Sequence, residues 1–318
     1  MGATHEDLHI DAALSEMALG YRPDGFVADT IMPIVNVSKQ SDLYTIWSRE
    51  DRLRVHDTKR APRTEAKRIE ESVSSATYYC KNYALKSSIE IEQFKNADPI
   101  YLDNLNQGKV ELVMDGLMID WEVRVANQVT SGSNVGSYSA VSSAWNDGGA
   151  GSDPIGDVNI MLDNVQYSTG KRPNRLTFGL KAWQVFRRHV DVRNIIFGTN
   201  NGGGFASVAQ VADLFEVEQI SVGGAFQNTA GEGLTENLSA IWDDHVLAHH
   251  TPTSVSKDRP SFAYGFRWNQ PGLPNMQVER HPYDTKIKAQ DVEVGYYQDE
   301  VITGAEYGFL LTNVTSST

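Results

Sequence analysis

The stretch DPIYLDNLNQGKVELVMDGLMIDWEVRVANQVT, residues 98–130, decides the fold predicted for this chain. Asp98 stands where an N-cap residue belongs, Pro99 where the first helical residue belongs, and Ser131-Gly132 supplies a stop signal. Apolar side chains recur between them at the three- and four-residue spacing of an amphipathic helix: Leu102, Leu105, Leu112, Leu117, Trp121 and Val125, with Val113, Met114 and Met118 widening the stripe. At about 1.5 Å per residue this helix would span roughly 48 Å. So long a rod predicts the backbone of an extended structure.

Composition limits the classes of function. The chain has 318 residues, 40% of them hydrophobic, which is enough for two packed domains or one large one. The net charge of −13 argues against a protein that grips duplex DNA through a broad basic face, but not against one that encloses DNA. No apolar run is long enough to predict a membrane span, and the acidic N-terminus is unlike a signal peptide. The single cysteine, Cys80, fits a reducing compartment.

The first 38 residues are predicted to form an arm. Residues 10–19 predict a short helix that ends at Gly20. Residues 26–37 are apolar and contain Pro33, which favours an extended segment lying across another surface over a central strand. We expect the arm to expose its apolar groups in a lone subunit and to be covered by neighbouring copies.

Residues 40–94 predict two strands, at 42–47 and 72–91, joined by a long polar tip. The tip has few large apolar residues to bury. Its two acids, Asp57 and Glu65, are outnumbered by seven basic residues: Arg52, Arg54, Lys59, Arg60, Arg63, Lys67 and Arg68. A loop of this length is uncommon in a compact domain and is usually functional. We expect the first five of these basic residues to contact an acidic neighbouring subunit, with a solvated loop as the alternative.

The remainder of the chain predicts a loop, an α/β unit and a β-rich return. Residues 132–153 are rich in Gly, Ser and Asn, which predicts a flexible loop at a domain boundary. An α/β unit follows, with predicted helices at 155–167, 182–189 and 206–215 and strands at 175–178, 219–222, 238–242 and 246–250. The β-rich return has predicted strands at 261–268, 276–281, 286–297 and 309–314.

The richest cluster of candidate metal ligands is Asp243, Asp244, His245, His249 and His250. On a helix, His245 and His249 would share a face and hold one metal ion, whereas on a strand about 13 Å would separate them. The apolar residues 246–248 favour a strand, although a metal site stays an alternative. The glycine-rich residues 198–204 lack the lysine of a P-loop and predict a flexible turn. Cys80 predicts a small buried hydrophobe rather than a nucleophile.

The order arm, protruding hairpin, long helix, α/β unit and β return resembles the Hong Kong 97 fold of tailed-phage major capsid proteins. Local sequence is similar in the same order along nearly the whole chain. The similar motifs are Gly20-Tyr21 and Pro33-Ile34-Val35-Asn36-Val37-Ser38-Lys39-Gln40-Ser41, then Arg60-Ala61-Pro62 and Thr77-Tyr78-Tyr79-Cys80-Lys81-Asn82-Tyr83-Ala84-Leu85, then Thr169-Gly170-Lys171-Arg172-Pro173-Asn174, Ala182-Trp183 and Ala240-Ile241-Trp242-Asp243-Asp244. Their collinearity makes the resemblance specific.

The resemblance implies an α+β, Hong Kong 97-like capsid fold. Its expected parts are an N-terminal arm at 1–40, an extended loop at 41–94, a peripheral domain with the spine helix at 95–131 and 265–318, a flexible loop at 132–153, and an α/β axial domain at 154–264.

The resemblance also implies a function without catalytic residues, cofactor, metal or membrane contact. Copies of a major capsid protein would self-assemble in the host cytoplasm into hexamers and pentamers of an icosahedral virion shell around double-stranded DNA, without sequence-specific binding. A portal, a decoration protein and a separate scaffold protein are the expected partners, the scaffold because the chain starts directly at the arm. Two alternatives stay open: an α/β metalloenzyme using the cluster at 243–250, and another virion protein that forms a tube or ring.

Overall fold

The computed structural model describes residues 11–21, 23–47, 53–70, 72–96, 99–147, 151–198, 204–271 and 273–316. The helices are α1 Ala12–Gly20, α2 Ala28–Ile31, α3 Ile91–Asn96, α4 Pro99–Val129, α5 Pro154–Thr169, α6 Leu180–Phe186, α7 Val190–Phe197 and α8 Val208–Phe215, with a 3-10 turn at Ala305–Tyr307. The strands are β1 Ile34–Val37, β2 Ser41–Trp47, β3 Val73–Tyr79, β4 Lys81–Glu90, β5 Ser137–Ala140, β6 Arg175–Gly179, β7 Gln219–Gly223, β8 Phe226–Asn228, β9 Leu238–Ala240, β10 Val246–His249, β11 Ala263–Trp268, β12 Gln277–Arg280, β13 Ala289–Ile302 and β14 Gly308–Thr312.

The long helix α4 runs for 31 residues, which confirms the rod predicted from the sequence. One face is buried against β4 and β13 through Val110, Val113, Met114, Leu117, Met118, Trp121 and Val125. The pattern assigned Leu112 to the apolar stripe, but this residue is 60% exposed. It lies outside the helix face that the buried residues form. The predicted cap at Asp98 lies outside the described residues.

A five-stranded sheet lies beside the long helix, in the order β1-β11-β13-β12, with β4 also pairing with β13. Strand β13 is 14 residues long and pairs with β4 from Ala289 to Gln298. The sheet and helix enclose one apolar core that includes Ile89, Trp121, Val292 and Tyr296. Three of the strands predicted in the β-rich return, at 261–268, 276–281 and 286–297, are therefore present in this sheet as β11, β12 and β13.

The described part of the arm lies on its own subunit. The Asp11 carboxylate caps α1 by accepting from the Leu14 amide at 3.1 Å, and it also pairs with Arg280 of β12 at 2.8 Å. Ile31 and Met32 are fully buried, and β1 pairs in parallel with β11 at the sheet edge. The expected extended segment at 34–37 is confirmed, but the expectation that the arm exposes its apolar groups in a lone subunit is wrong, because the spine side of the same chain buries them.

A second sheet has the order β5-β14-β10-β6-β7 and forms the α/β unit with α5 to α8. The helix predicted at 155–167 is confirmed as α5, which the Asp153 side chain caps by accepting from the Gly156 amide at 2.8 Å and which ends at Gly170 in the left-handed region. Helix α7 was not predicted, since its β-branched residues favour a strand, yet Val192 packs into the core and fixes it.

Two predicted boundaries around this unit are wrong. Residues 132–153 were expected to be a flexible loop, but the described part contains β5 and the buried Trp145, which is 1% exposed. Strand β14 was expected in the peripheral domain, but it pairs with β5 and β10 inside the α/β sheet. Pairing between segments about 170 residues apart leaves no trace in local periodicity.

Candidate assembly interface

The hairpin β2–β3 forms a separate two-stranded sheet with a firmly held base. Its strands pair from Ser41 with Tyr79 to Trp47 with Val73. At the base, the rings of Tyr44 and Tyr78 stack on Phe266 of β11, with centroids 5.6 and 4.6 Å away. The packed base fixes the direction in which the hairpin projects from the body.

Cys80 lies at the same base and is fully buried, as predicted. Its thiol is 3.3 Å from the carbonyl oxygen of Phe266. Burial, followed by the nearby Asp299 charge, raises the pKa of the Cys80 thiol to about 12. The thiol is therefore a packed core group and not a nucleophile.

The hairpin tip, residues 53–70, is exposed at every position. Val55 is 95% exposed, and Leu53 and Ile69 are also largely open to solvent. The segment has too few apolar residues to bury these side chains on one another. Leu53 lies beside Gly170 at the end of α5, yet no position of the tip is buried.

Short contacts give the tip a defined shape. The Arg60 guanidinium donates to the Thr64 carbonyl oxygen, and the Thr64 hydroxyl donates to the Ala61 carbonyl oxygen at 2.8 Å. Arg63 between them has a φ of 64°, in the left-handed region that most L-residues avoid. This turn holds Arg60 and Arg63 close together at the apex.

The basic residues of the tip differ in their partners. Lys67 forms an ion pair of 2.6 Å with Asp57, and this contact, with the Lys59 amide, lowers the pKa of the Asp57 carboxyl. Among the described residues, Lys59, Arg60 and Arg63 form no ion pair. Arg54 lies in the same exposed segment, and Arg52 lies outside the described residues. The tip thus presents uncompensated positive charge on a chain whose total charge is −13.

A buried carboxylate that the sequence analysis missed joins the arm, the spine and the α/β unit. Glu122 of α4 is fully buried and accepts hydrogen bonds from the amides of Val27 and Ala28, at 2.8 and 3.0 Å, and from the indole of Trp242. Desolvation is the dominant influence and raises the pKa of the Glu122 carboxyl. Its position within the apolar stripe, four residues after Met118, was the available signal.

The predicted metal cluster does not converge. Asp243 pairs with Lys181 at 3.0 Å, while His249 lies fully buried on β10, where burial and Arg175 lower its pKa to about 3. Asp244 and His245 are 3.7 Å apart at the strand start. No group of three or more His, Cys, Asp or Glu side chains in the described part of the chain could hold a metal ion. Within the same residues, no helix is both long and apolar enough to cross a membrane.

Solved structures identify the fold. The chain is similar to the crystal structure of a phage-related protein from Bordetella bronchiseptica, with 21% identity, a TM-score of 0.75, and coverage of 98% of this chain and 99% of the other. It is also similar to the capsid structure of the cyanophage P-SCSP1u, with 10% identity, a TM-score of 0.54, and coverage of 98% and 92%. The fold is the α+β, Hong Kong 97-like fold of phage capsids, as the sequence predicted.

Sequence relatives agree with this fold. The chain is 24% identical to the major capsid protein of Burkholderia phage BcepMu over 315 residues, which are 96% of each chain. It is also 24% identical to the major capsid protein of Pseudomonas phage JBD67, over 97% of this chain and 98% of the other. No protein-family model matches the chain. These full-length relatives and capsid folds support a tailed-phage major capsid protein whose copies assemble into a shell, and nothing in the comparisons supports the metalloenzyme alternative.

Proposed function

We propose that the shell is icosahedral, is built from hexamers and pentamers of this chain, and encloses double-stranded DNA in the virion. Heterologous contacts, in which one surface of a copy meets a different surface of the next, close into rings and suit this architecture. The proposal includes assembly in the host cytoplasm. A separate scaffold protein, a portal and a decoration protein remain predicted partners.

The observation that carries the proposal is the hairpin tip. A projecting segment that exposes Val55 gains from being covered by another surface, and Arg60 and Arg63 beside it are exposed charges that an acidic neighbour can pair. An acidic neighbouring copy supplies both the apolar cover and the opposite charge. Arg52, Arg54, Lys59, Arg60 and Arg63 are the proposed contact residues.

The proposed relation to DNA follows from the charge of the whole chain. A net charge of −13 repels phosphate groups, so a shell of such chains encloses DNA without gripping it. No sequence-specific contact is part of the proposal.

The five parts implied by the resemblance are proposed in revised form. The arm at 1–40 and the extended loop at 41–94 keep their predicted bounds. Strand β5 moves from the predicted flexible loop, and β14 from the predicted peripheral domain, to the axial domain, which ends before β11 begins at Ala263. The revision follows the strand pairing and leaves Trp145 inside the axial core.

Electron microscopy of the expressed chain tests the proposal. Closed shells with five- and six-fold rings are the expected product, either alone or with a co-expressed scaffold. Open tubes or single rings would support the alternative of another virion protein that forms a tube or ring. A chain that remains monomeric under all of these conditions would contradict assembly.

A further inference from the structure

Two arginines lie beside an exposed aromatic ring on the α/β unit, far in sequence from the hairpin tip, and Arg188 also lines a cleft with Asp243 and Asp244. We call this surface the arginine platform and define it by Arg187, Arg188 and Phe205. The Arg187 and Arg188 guanidinium carbons lie 5.3 and 5.5 Å from the centre of the Phe205 ring, within cation–π range. The Ala206 amide donates to the Arg187 carbonyl oxygen at 3.3 Å, which holds the ring beside both arginines.

The platform remains exposed in its own subunit. Phe205 is 52% exposed, and Val190 and Val208 nearby are also exposed. Neither Arg187 nor Arg188 forms an ion pair among the described residues, and the buried Nε of Arg187 has no hydrogen-bond partner there. An exposed aromatic ring beside two arginines can bind an acidic segment that also carries apolar side chains, since the segment supplies both opposite charge and apolar contact.

Such a segment occurs on the same unit. We call the hairpin β8–β9, with its connecting loop, the acidic hairpin; it spans Phe226 to Ala240. Within seven residues of this hairpin, two acids alternate with two leucines: Glu232, Leu234, Glu236 and Leu238. Leu234 is 73% exposed and Leu238 62% exposed. In the described part of the chain, Glu232 and Glu236 form no ion pair.

The acidic hairpin has a fixed shape and a fixed base. The Asn228 side-chain oxygen accepts from the amides of Ala230 and Asn237, at 3.0 and 2.9 Å, and Gly233 adopts a φ of 80° that suits glycine. Trp242 follows the hairpin, and its indole donates a hydrogen bond to the Glu122 carboxylate. A preformed loop loses little conformational entropy when it binds.

We propose that the acidic hairpin of one copy binds the arginine platform of the next copy around each ring. The two surfaces match in charge and both are partly apolar, and one copy offers both, so the contact is heterologous and propagates until the ring closes. The proposal rests on the self-assembly proposed above and names the pair of surfaces that forms the ring, separately from the hairpin tip.

A charge exchange tests the pairing. Reversal of the platform (Arg187→Glu with Arg188→Glu) and reversal of the acidic hairpin (Glu232→Lys with Glu236→Lys) each place like charges in contact and should lower the yield of rings and shells by about tenfold or more. The combination of all four substitutions restores opposite charges and should recover most of the yield. As a matched control, Asp213→Lys with Glu216→Lys changes exposed acids elsewhere on the unit and should leave the yield unchanged.

A short bismaleimide gives an independent measurement. The variant with both Arg188→Cys and Glu236→Cys should form a covalent ladder up to the ring size, while each single variant should not. Normal assembly of either reversed variant, failure of the combined variant to recover, or absence of the ladder in assembled material would overturn the pairing. Absence of assembly in the unmodified chain would instead overturn the proposed function.

Discussion

The indole nitrogen of Trp242 donates a hydrogen bond to the carboxylate of Glu122, which lies 120 residues earlier in the chain. The same carboxylate accepts from two amides of the arm, so one buried group joins the arm, the long helix and the start of the α/β sheet. The relative placement of the acidic hairpin, the spine and the arm therefore depends on this contact.

We predict that Glu122→Gln lowers the free energy of unfolding by about 1–3 kcal/mol, because the amide of glutamine offers one acceptor oxygen to three buried donors. Trp242→Phe removes one donor and also leaves a cavity in the apolar core, so it should cost about 1–3 kcal/mol as well. Chemical denaturation of the purified subunit measures both variants. A Glu122→Gln subunit as stable as the unmodified chain would show that the carboxylate does not hold these segments together.

A second prediction concerns a glycine at the start of helix α6. A Cβ atom added at Gly179 would lie 1.8 Å from the Trp242 carbonyl oxygen and 2.4 Å from that of Asp243. We expect Gly179→Ala to prevent folding or to cost at least about 1–3 kcal/mol, since backbone cannot move aside as a flexible side chain can. Gly204→Ala, where no atom lies within 4 Å, is the matched control and should fold normally. Equal thermal stability of the two variants would contradict the close approach.

The third prediction is a dependence of stability on pH. The Asp291 carboxylate accepts from the Ser88 hydroxyl at 2.6 Å and pairs with Lys86 at 2.9 Å, and these contacts lower its pKa below the ordinary 3.8. A lowered pKa in the folded chain stabilises the fold above the ordinary value, and this stabilisation is lost as the pH falls through the folded value.

The unmodified chain should therefore be more stable than Asp291→Asn, and the difference between their unfolding free energies should be largest at neutral pH. The difference should shrink as the pH drops below about 4. Denaturation of both proteins across this range gives the comparison. A difference that stays constant with pH would show that the carboxylate charge contributes nothing.

The fourth prediction concerns the buried thiol. Because the pKa of Cys80 is raised to about 12, very little thiolate is present at pH 8, and we expect iodoacetamide to modify the folded subunit at least about a hundredfold more slowly than the unfolded one. Mass spectrometry follows the reaction. Similar rates in buffer and in denaturant would mean that the base of the hairpin β2–β3 opens readily.

The parts of this fold that could be predicted from sequence are those with a local signal. The long helix followed from apolar spacing between a proline and a glycine, and the helix predicted at 155–167 is present as α5. The strand β10 followed from Val246, Leu247 and Ala248, which also made a convergent metal site at His245 and His249 improbable.

The parts that could not be predicted depend on distant partners. Strand β5 is short and was missed, and the strand predicted at 309–314 is present as β14 but pairs with β5 about 170 residues earlier, which no local pattern shows. Glu122 gave only the weak signal of a charged residue in an apolar stripe, because its three donors come from segments about 95 and 120 residues away. The arm was misjudged for the same reason, since the surface that buries Ile31 and Met32 belongs to the same subunit.

We propose that the basic tip of the hairpin β2–β3 joins one subunit to the next. The most direct test compares Arg60→Glu with Arg63→Glu against the charge-preserving pair Arg60→Lys with Arg63→Lys, using electron microscopy and sedimentation to count shells. We expect the reversed variant to remain a folded subunit but to form about tenfold fewer shells, or none, and the lysine variant to assemble. Normal shells from the reversed variant would contradict the claim.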